Sequence, residues 1–408
     1  MKPAKLLLLI FIFLALILFP AYLLSDVETG FELNGTSSFS VNPNIKYLAI
    51  KDGPPRYTWQ KSIDTRIVIQ WFASENSTAE LHYQAGLFAT LFKSDGNTDF
   101  STGMTSHQGF YRLDDISARP YDSIADINGL FLEQNLDRLN WTSYQSLAHI
   151  TLGRQAVNLS TARFISPTDI FRPNTARYLV SDYSPGIDAA RAQVYLSDLA
   201  TLDIGIVGGY TKQQTASFAR IKANINSVDW SATGITLNDK HIVSAGLDTA
   251  LGDYGHWQEL ALMNATTKKW RWSIGADTTI GNYLAQVEYH YNQPGSSTSL
   301  EYMTNATDDL FYLQGAIGFY GQHYLTTSFS WLKGMRSGRD LTVILNLKDN
   351  SSLSIVNYYW SLTDNWDVTV GLHLPIGTSP EIIDNQLIVN SEFGVSPAVL
   401  LLKVDGHL

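Results

Sequence analysis

The chain has 408 residues and a formal net charge of −10, with a pI near 5.3. No basic domain and no Lys/Arg run offers contacts to phosphates, so nucleic acid is excluded as a partner. Cysteine is absent, which removes disulfides, thiolate metal sites, cysteine nucleophiles and a cysteine-borne lipid anchor.

Aromatic residues make up 12% of the chain, with 21 tyrosines and 10 tryptophans, while the mean hydropathy lies just below zero. A helical membrane protein would be far more apolar. A soluble domain of this polarity has little use for so much Tyr and Trp. Strands with one face in lipid and one in water reconcile the two, because half of their residues are then polar.

Met1 to Lys5 is positively charged, Leu6 to Phe19 is an unbroken apolar run, and Pro20 ends it ahead of Ser25 and Asp26. That layout predicts a cleaved signal peptide over 1–25 and a mature chain over 26–408. An uncleaved anchor over Leu6 to Leu24 is the alternative. The longest later apolar run is Ala398 to Leu402, so any further crossing of a membrane must be made by strands.

From Asp26 onward the period is two. Runs near residues 30, 63, 79, 128 and 147 come first; Ile63, Thr65, Ile67, Ile69 and Trp71 alternate with Asp64, Arg66, Val68 and Gln70. Between two of these runs, Asp95-Gly-Asn97-Thr-Asp99 matches the start of a calcium loop. Phe100 replaces its turn glycine and Ser106 its bidentate glutamate, so a polar loop is the better account. The nearby Ser106-His107-Gln108-Gly109 does not fit the signature of barrel-borne phospholipases.

Gly153 to Arg191 then interrupts the pattern. It holds Arg154, Arg163, Arg172, Arg177 and Arg191, no lysine, the acids Asp169, Asp182 and Asp188, and three prolines that forbid one regular element. An irregular, arginine-rich segment at 158–186 between membrane-length strands is what a constriction loop would look like. Arginine keeps its charge everywhere and grips carboxylate or phosphate with two hydrogen bonds, and rings of Arg/Lys line anion-preferring pores. Arg154, Arg163, Asp169, Arg172, Arg177, Asp188 and Arg191 are therefore the candidates for pore constriction or selectivity. The bland reading is that these arginines pair with nearby acids and only pin the loop.

Further strands start near 187, 201, 217, 241, 254, 269, 282, 310, 323, 340, 352, 366, 386 and 398, with turn signals at Gly281-Asn282, Asp349-Asn-Ser-Ser and Thr363-Asp-Asn. Trp270, Trp272, Ile274 and Ala276 face away from Arg271, Ser273, Gly275 and Asp277. Likewise Val287, Tyr289 and Tyr291 face away from Glu288, His290 and Asn292. Runs of about ten residues suit a tilted transmembrane strand. Trp257, Trp270, Trp272, Tyr289, Tyr291, Trp331, Tyr358, Tyr359, Trp360 and Trp366 cluster near strand ends, as interfacial girdles require. The chain ends on a strand with Leu400, Leu402 and Leu408 on one face and Lys403, Asp405 and His407 on the other. The fold class is thus all-β: a transmembrane antiparallel barrel of 16 or 18 strands, since single-chain bacterial barrels have even counts. A soluble β protein with one wet face is the rival.

No HExxH, no G-x-S-x-G elbow, no P-loop and no G-x-G-x-x-G is present, so neither an enzyme, a metal nor a cofactor is expected.

Gly153-Arg154-Gln155, Asn158, Ser166-Pro167-Thr168-Asp169-Ile170-Phe171 with Pro173, and Pro185-Gly186-Ile187-Asp188-Ala-Ala-Arg191 together resemble a block in Gram-negative outer-membrane barrels. These are porin-like and alginate-export-like proteins, in which a G-R-Q strand end precedes P-(N/T)-D-x-F-x-P and then P-G-x-D-x-x-R. The rest of the chain matches by strand pattern and termini only. The resemblance implies an outer-membrane channel, monomeric or a homo-oligomer, exported through the signal peptide and surrounded by outer-membrane lipid. It would pass small hydrophilic or anionic solutes or an acidic polysaccharide. One departure is Leu408, where such barrels usually end in Phe or Trp. The alternatives are a non-conducting barrel that binds or assembles surface polysaccharide, and a secreted soluble carbohydrate-binding β protein.

Overall fold

The computed structural model describes residues 27–42, 56–93, 111–113, 130–171, 186–238, 240–264, 268–302, 318–333, 336–383 and 386–407. The first strands are β1 (Val27–Asn42), β2 (Arg56–Ser74), β3 (Ser77–Lys93), β4 (Leu130–Tyr144) and β5 (Ala148–Gln155). Next come β6 (Ile187–Ser197), β7 (Ala200–Gly208), β8 (Ala216–Ile225), β9 (Val228–Leu237), β10 (Lys240–Leu251) and β11 (Tyr254–Asn264). Then follow β12 (Lys268–Ile280), β13 (Tyr283–Asn292), β14 (His323–Lys333), β15 (Ser337–Asn346), β16 (Ser352–Thr363) and β17 (Trp366–Ile376). A small hairpin of β18 (Glu381–Ile383) and β19 (Gln386–Ile388) precedes the last strand, β20 (Ala398–His407).

Each strand from β1 to β16 pairs antiparallel with its successor, and β20 pairs with both β17 and β1. The sheet has 18 strands and closes on itself. Closure leaves no unpaired edge, which lipid would punish. The even number and the antiparallel order match the sequence expectation.

Alternation assigns the faces. On β12 and β13, Arg271, Ser273, Glu288, His290 and Asn292 are buried inward, whereas Trp270, Tyr283 and Val287 are exposed outward. Leu400 and Leu402 face out and Lys403 and Asp405 lie on the inner face of β20. Outward apolar exposure on this scale is a liability in water and a requirement in a bilayer. An 11-residue strand such as β17 spans about 28 Å at a tilt near 40°, the height of a membrane's apolar layer.

The two ends of the barrel differ. One carries the two-to-three-residue turns β2–β3, β4–β5, β6–β7, β8–β9, β10–β11, β12–β13, β14–β15 and β16–β17, together with the start of β1 and the end of β20. The other carries the long connections 43–55, 94–129, 156–186, 293–322 and 377–397. Short turns are the periplasmic pattern and long loops the extracellular one. A girdle of outward aromatics marks the tight-turn end: Trp71, Trp141, Trp230, Tyr283, Trp360 and Trp366.

Three sequence expectations need correction. The run at 386 is half of the three-residue hairpin β18–β19 and no part of the wall. Strand β9 was not foreseen, because Ile235 and Leu237 point into the lumen and Ala232, Gly234 and Thr236 out of it, the reverse of the usual polarity. It follows a two-residue turn in which Asn226 and Ser227 both have positive φ, 55° and 64°, the geometry that suits hairpin twist. Trp257 is fully buried inside the barrel and Tyr359 lies on the inner face over Gly338, so neither is a girdle residue. The run expected at 310 and the residues of the weak calcium motif lie outside the described residues, as do residues 1–26.

Candidate functional site

The Gly153–Arg191 block divides into wall and loop. Gly153 has φ +112°, and a Cβ there would sit 2.3 Å from the Leu139 carbonyl oxygen. Only glycine tolerates that conformation and approach. One residue on, Arg154 forms a two-pronged ion pair with Asp188 on β6, at 2.8 and 3.0 Å, and donates to the Leu136 carbonyl at 2.8 Å. Asp188 also accepts the Leu113 amide at 2.8 Å. Arg154 and Asp188 are thus a brace at the mouth of the β5–β6 connection. Beside them the extra residue of a bulge in β4, Asp137, sits among Arg66 (3.3 Å), Arg138 (2.9 Å) and Arg112 (3.7 Å), all buried. Bulges re-aim side chains in this way.

Residues 156–171 of the loop fold into the lumen and are tied to the far wall. From β8, Arg220 donates to the carbonyls of Asn158 (3.3 Å) and Ser160 (3.2 Å). From β11, Glu259 accepts the amides of Thr161 and Ala162, both at 2.9 Å. From β12, Arg271 donates to the Pro167 carbonyl at 3.0 Å and Ser273 to the Ile165 carbonyl at 2.6 Å. From β13, Glu288 accepts the amides of Arg163 (3.0 Å), Phe164 (3.2 Å) and Ile165 (2.8 Å), and the indole N–H of Trp257 at 2.8 Å. Irregular backbone inside a barrel has no ladder to satisfy it; wall carboxylates and guanidinia take the ladder's place. Asp169 is buried and closes the loop on itself, accepting the amides of Leu159 (3.2 Å) and Phe171 (3.0 Å).

Two apolar clusters seat the loop. Val157, Leu159, Ile170 and Phe171 pack on lumen-facing Val207, Phe218, Ile235, Leu237, Ile242 and Met263, together with Tyr111. Its tip, Phe164 and Ile165, meets Phe319 of the β13–β14 connection, Phe393 of the β17–β20 connection, and Tyr324, Ile344 and Ile355 of the wall. The last two connections are knotted by Glu392, which is bonded to the Tyr324 hydroxyl, the Asn346 amide at 2.9 Å and the Tyr320 backbone amide at 3.1 Å. Asp349 accepts the Glu392 amide at 2.7 Å and the Tyr302 hydroxyl at 3.0 Å. Burial pushes the Tyr302 phenol up, so it remains a donor.

Of the candidates from the sequence, Arg163 is the described one that lies on the inward loop with its head part-exposed. It is ion-paired with Asp277, stands 3.6 Å from Asp248, and stacks 4.2 Å over Trp257. Arg191 is a wall residue, paired with Asp203 at 2.8 and 2.6 Å. Arg172 and Arg177 lie outside the described residues. The loop anchors Arg220, Glu259 and Glu392 were not singled out. The sequence marks Arg271 and Glu288 as polar-face residues only.

The lumen walls differ in sign. Arg66, Arg138, Arg191, Arg220 and Lys222 gather on β2 to β8, where Asp203 and Arg220 are register partners and Lys222 is exposed two residues on. Asp248, Asp277, Asp340 and Asp367 occupy inward positions on β10 to β17.

No protein-family model matches the sequence, and no curated protein is similar to it at a significant level. Solved structures do match. A BenF-like porin from Pseudomonas fluorescens Pf-5 is 10% identical, with a TM-score of 0.54 over 95% of this chain and 99% of that one. Pseudomonas aeruginosa OpdL is 9% identical, with a TM-score of 0.54 over 94% of this chain and 99% of that one. Pseudomonas aeruginosa OccK5 (OpdH) is 8% identical, with a TM-score of 0.53 over 93% of this chain and 98% of that one. With so little identity the likeness is one of architecture, and it covers nearly the whole of each chain: the protein has the fold of the outer-membrane porins.

Proposed function

We propose that this chain is an outer-membrane channel for small hydrophilic solutes, with a preference for anions. Residues 1–25 direct export and are removed. The observation that carries the reading is the inward segment 156–171, bonded to β8, β11, β12 and β13 inside a closed barrel. Porin-fold neighbours add support. A solute carboxylate would move past Lys222 and the Arg191–Asp203 pair, where ammonium and guanidinium groups replace part of its hydration shell. The acids opposite orient dipolar solutes across the passage. Arg163, clamped by Asp248 and Asp277 over Trp257, positions the loop and sets the field beneath it.

Small solutes fit this reading better than a polymer. Phe164, Ile165, Phe319 and Phe393 fill one side of the lumen with apolar side chains, which offer nothing to a polysaccharide's hydroxyls. Planar-bilayer reversal potentials in a salt gradient test the proposal. Wild type is expected to prefer chloride over potassium, and Lys222→Glu to reduce that preference. A cation preference in wild type would sink the anion assignment. Bilayers that stay closed, together with saturable glycan binding, would favour the non-conducting alternative.

A further inference from the structure

At the tight-turn end, one charged side chain stands on the lipid face inside the aromatic girdle. Arg339 is exposed and lies in register with Trp331 on β14 and Tyr358 on β16. Its guanidinium stands 5.0 Å from the Trp331 ring and 5.4 Å from the Tyr358 ring. Trp331 is in turn stacked on Tyr283 of β13, with centroids 6.3 Å apart and planes 26° from parallel. One level of the outer wall across four strands therefore reads Tyr283, Trp331, Arg339, Tyr358.

Among the described residues Arg339 has no carboxylate partner. The neighbouring turn acid Asp364 is engaged by Arg336 at 3.3 Å, and Asp340, next in sequence, points into the lumen toward Asn357. On the same outer face the neighbours are Leu341, Phe329, Val356 and Trp360. A guanidinium left against an apolar layer requires a counter-charge or water. Two flanking rings hold it by cation–π attraction and limit its freedom to swing away. Its five donors form a fork that matches a phosphate.

We propose that Arg339, with Trp331 and Tyr358, is a binding site for the phosphate of one phospholipid in the leaflet next to the tight turns. The tight-turn end fixes the leaflet, because short turns gathered with both strand termini of the barrel are the pattern of a periplasmic end. The lipid's phosphodiester accepts the guanidinium's paired N–H groups, and its acyl chains run along the outer faces of β14 to β16. The site anchors the barrel's depth and rotation at one sector of its wall. It goes beyond the channel reading, which makes no demand on the outer face.

The experiment uses the mature chain folded in nanodiscs of phosphatidylethanolamine, with dioleoyl phosphatidylglycerol titrated in and bound lipid counted by native mass spectrometry after gentle release. Wild type is expected to retain one phospholipid, of either headgroup because both carry the phosphodiester, that Arg339→Gln binds about tenfold more weakly, equivalent to about 1.4 kcal/mol. Arg339→Lys, which keeps the charge but loses the planar fork, is expected to fall between them. Equal retention by wild type and Arg339→Gln, each verified as folded by heat-modifiable gel mobility, overturns the proposal. Should Arg339→Gln not fold, Trp331→Leu with Tyr358→Leu removes the flanking rings and must weaken retention in the same direction. Arg339-dependent retention of lipopolysaccharide that phosphatidylglycerol does not displace overturns the leaflet assignment. Single-channel conductance of Arg339→Gln is expected to equal that of wild type, so a failed lipid assay leaves the channel reading to be judged on its own.

Discussion

Glu288 is the hinge pin of the inward loop, and Glu288→Gln tests the whole arrangement. Its two carboxylate oxygens serve four donors: one takes the amides of Arg163 and Phe164 and the Trp257 indole, the other the Ile165 amide. Glutamine has the same shape but one acceptor. With that acceptor toward the three donors, the new NH2 group faces the Ile165 N–H, donor against donor. The flipped rotamer is worse, with NH2 facing three donors. Leaving one buried donor unsatisfied costs about 1–3 kcal/mol, and each of the three remaining bonds loses about 1 kcal/mol with the charge. These losses are not additive, because one loop tip shares them. A net weakening of about 3 kcal/mol shifts the seated-to-released ratio of the tip on the order of a hundredfold. Glu259, Arg220, Arg271 and the burial of Phe164 and Ile165 still hold the loop, so the barrel stays folded and the loop starts to sample a second position. Single-channel recording should then show current noise and larger substates that wild type lacks, with unchanged heat-modifiable mobility. Identical conductance, noise and reversal potential in the two proteins would refute the claim that Glu288 seats a constriction.

Further predictions follow from single positions. Gly153→Ala places a Cβ against the Leu139 carbonyl at a φ of +112°; it should cost at least about 2 kcal/mol in a urea unfolding curve, and an unshifted midpoint would remove the structural reason given for that glycine. Ser227→Gly relieves a left-handed residue at φ 64° in the β8–β9 turn and should stabilise by about 0.5–1 kcal/mol in the same assay. Lys222→Glu should lower chloride preference in the salt-gradient measurement without altering unfolding, since Lys222 is exposed to the lumen.

The barrel was legible because each strand carries its own address. Trp270 to Asp277 or Trp366 to Leu374 shows which side chains meet lipid and which meet water, without knowledge of any partner strand. The exceptions have a physical cause. Strand β9 turns apolar side chains inward because Leu159, Ile170 and Phe171 are packed there, and no local window announces a loop arriving from 70 residues away. Loop sidedness was likewise hidden, since the sequence does not show that Glu381–Ile388 pairs with itself and so belongs to an outer connection.

The site was half legible for a related reason. Its arginines are conspicuous in sequence because they cluster, yet Arg154 and Arg191 sit in the wall and are matched by Asp188 and Asp203. What holds the loop across the lumen is scattered over β8 to β13, one or two residues to a strand, and Arg220, Glu259, Arg271 and Glu288 each look like an ordinary polar-face residue. Their common character emerges only when the loop's unpaired amides and carbonyls are counted against them. Backbone amides that approach in succession form a small positive concavity, and a wall carboxylate fills it: Glu259 serves Thr161 and Ala162, and Glu288 serves Arg163 to Ile165. The consequence for selectivity is direct. Because residues 161–165 are held through their backbone amides, the part-exposed Arg163 side chain can change without loss of those bonds, whereas the wall carboxylates that receive them cannot. On the channel function proposed above, substitutions at Arg163 or Lys222 would retune solute preference while Glu259 and Glu288 keep the loop seated.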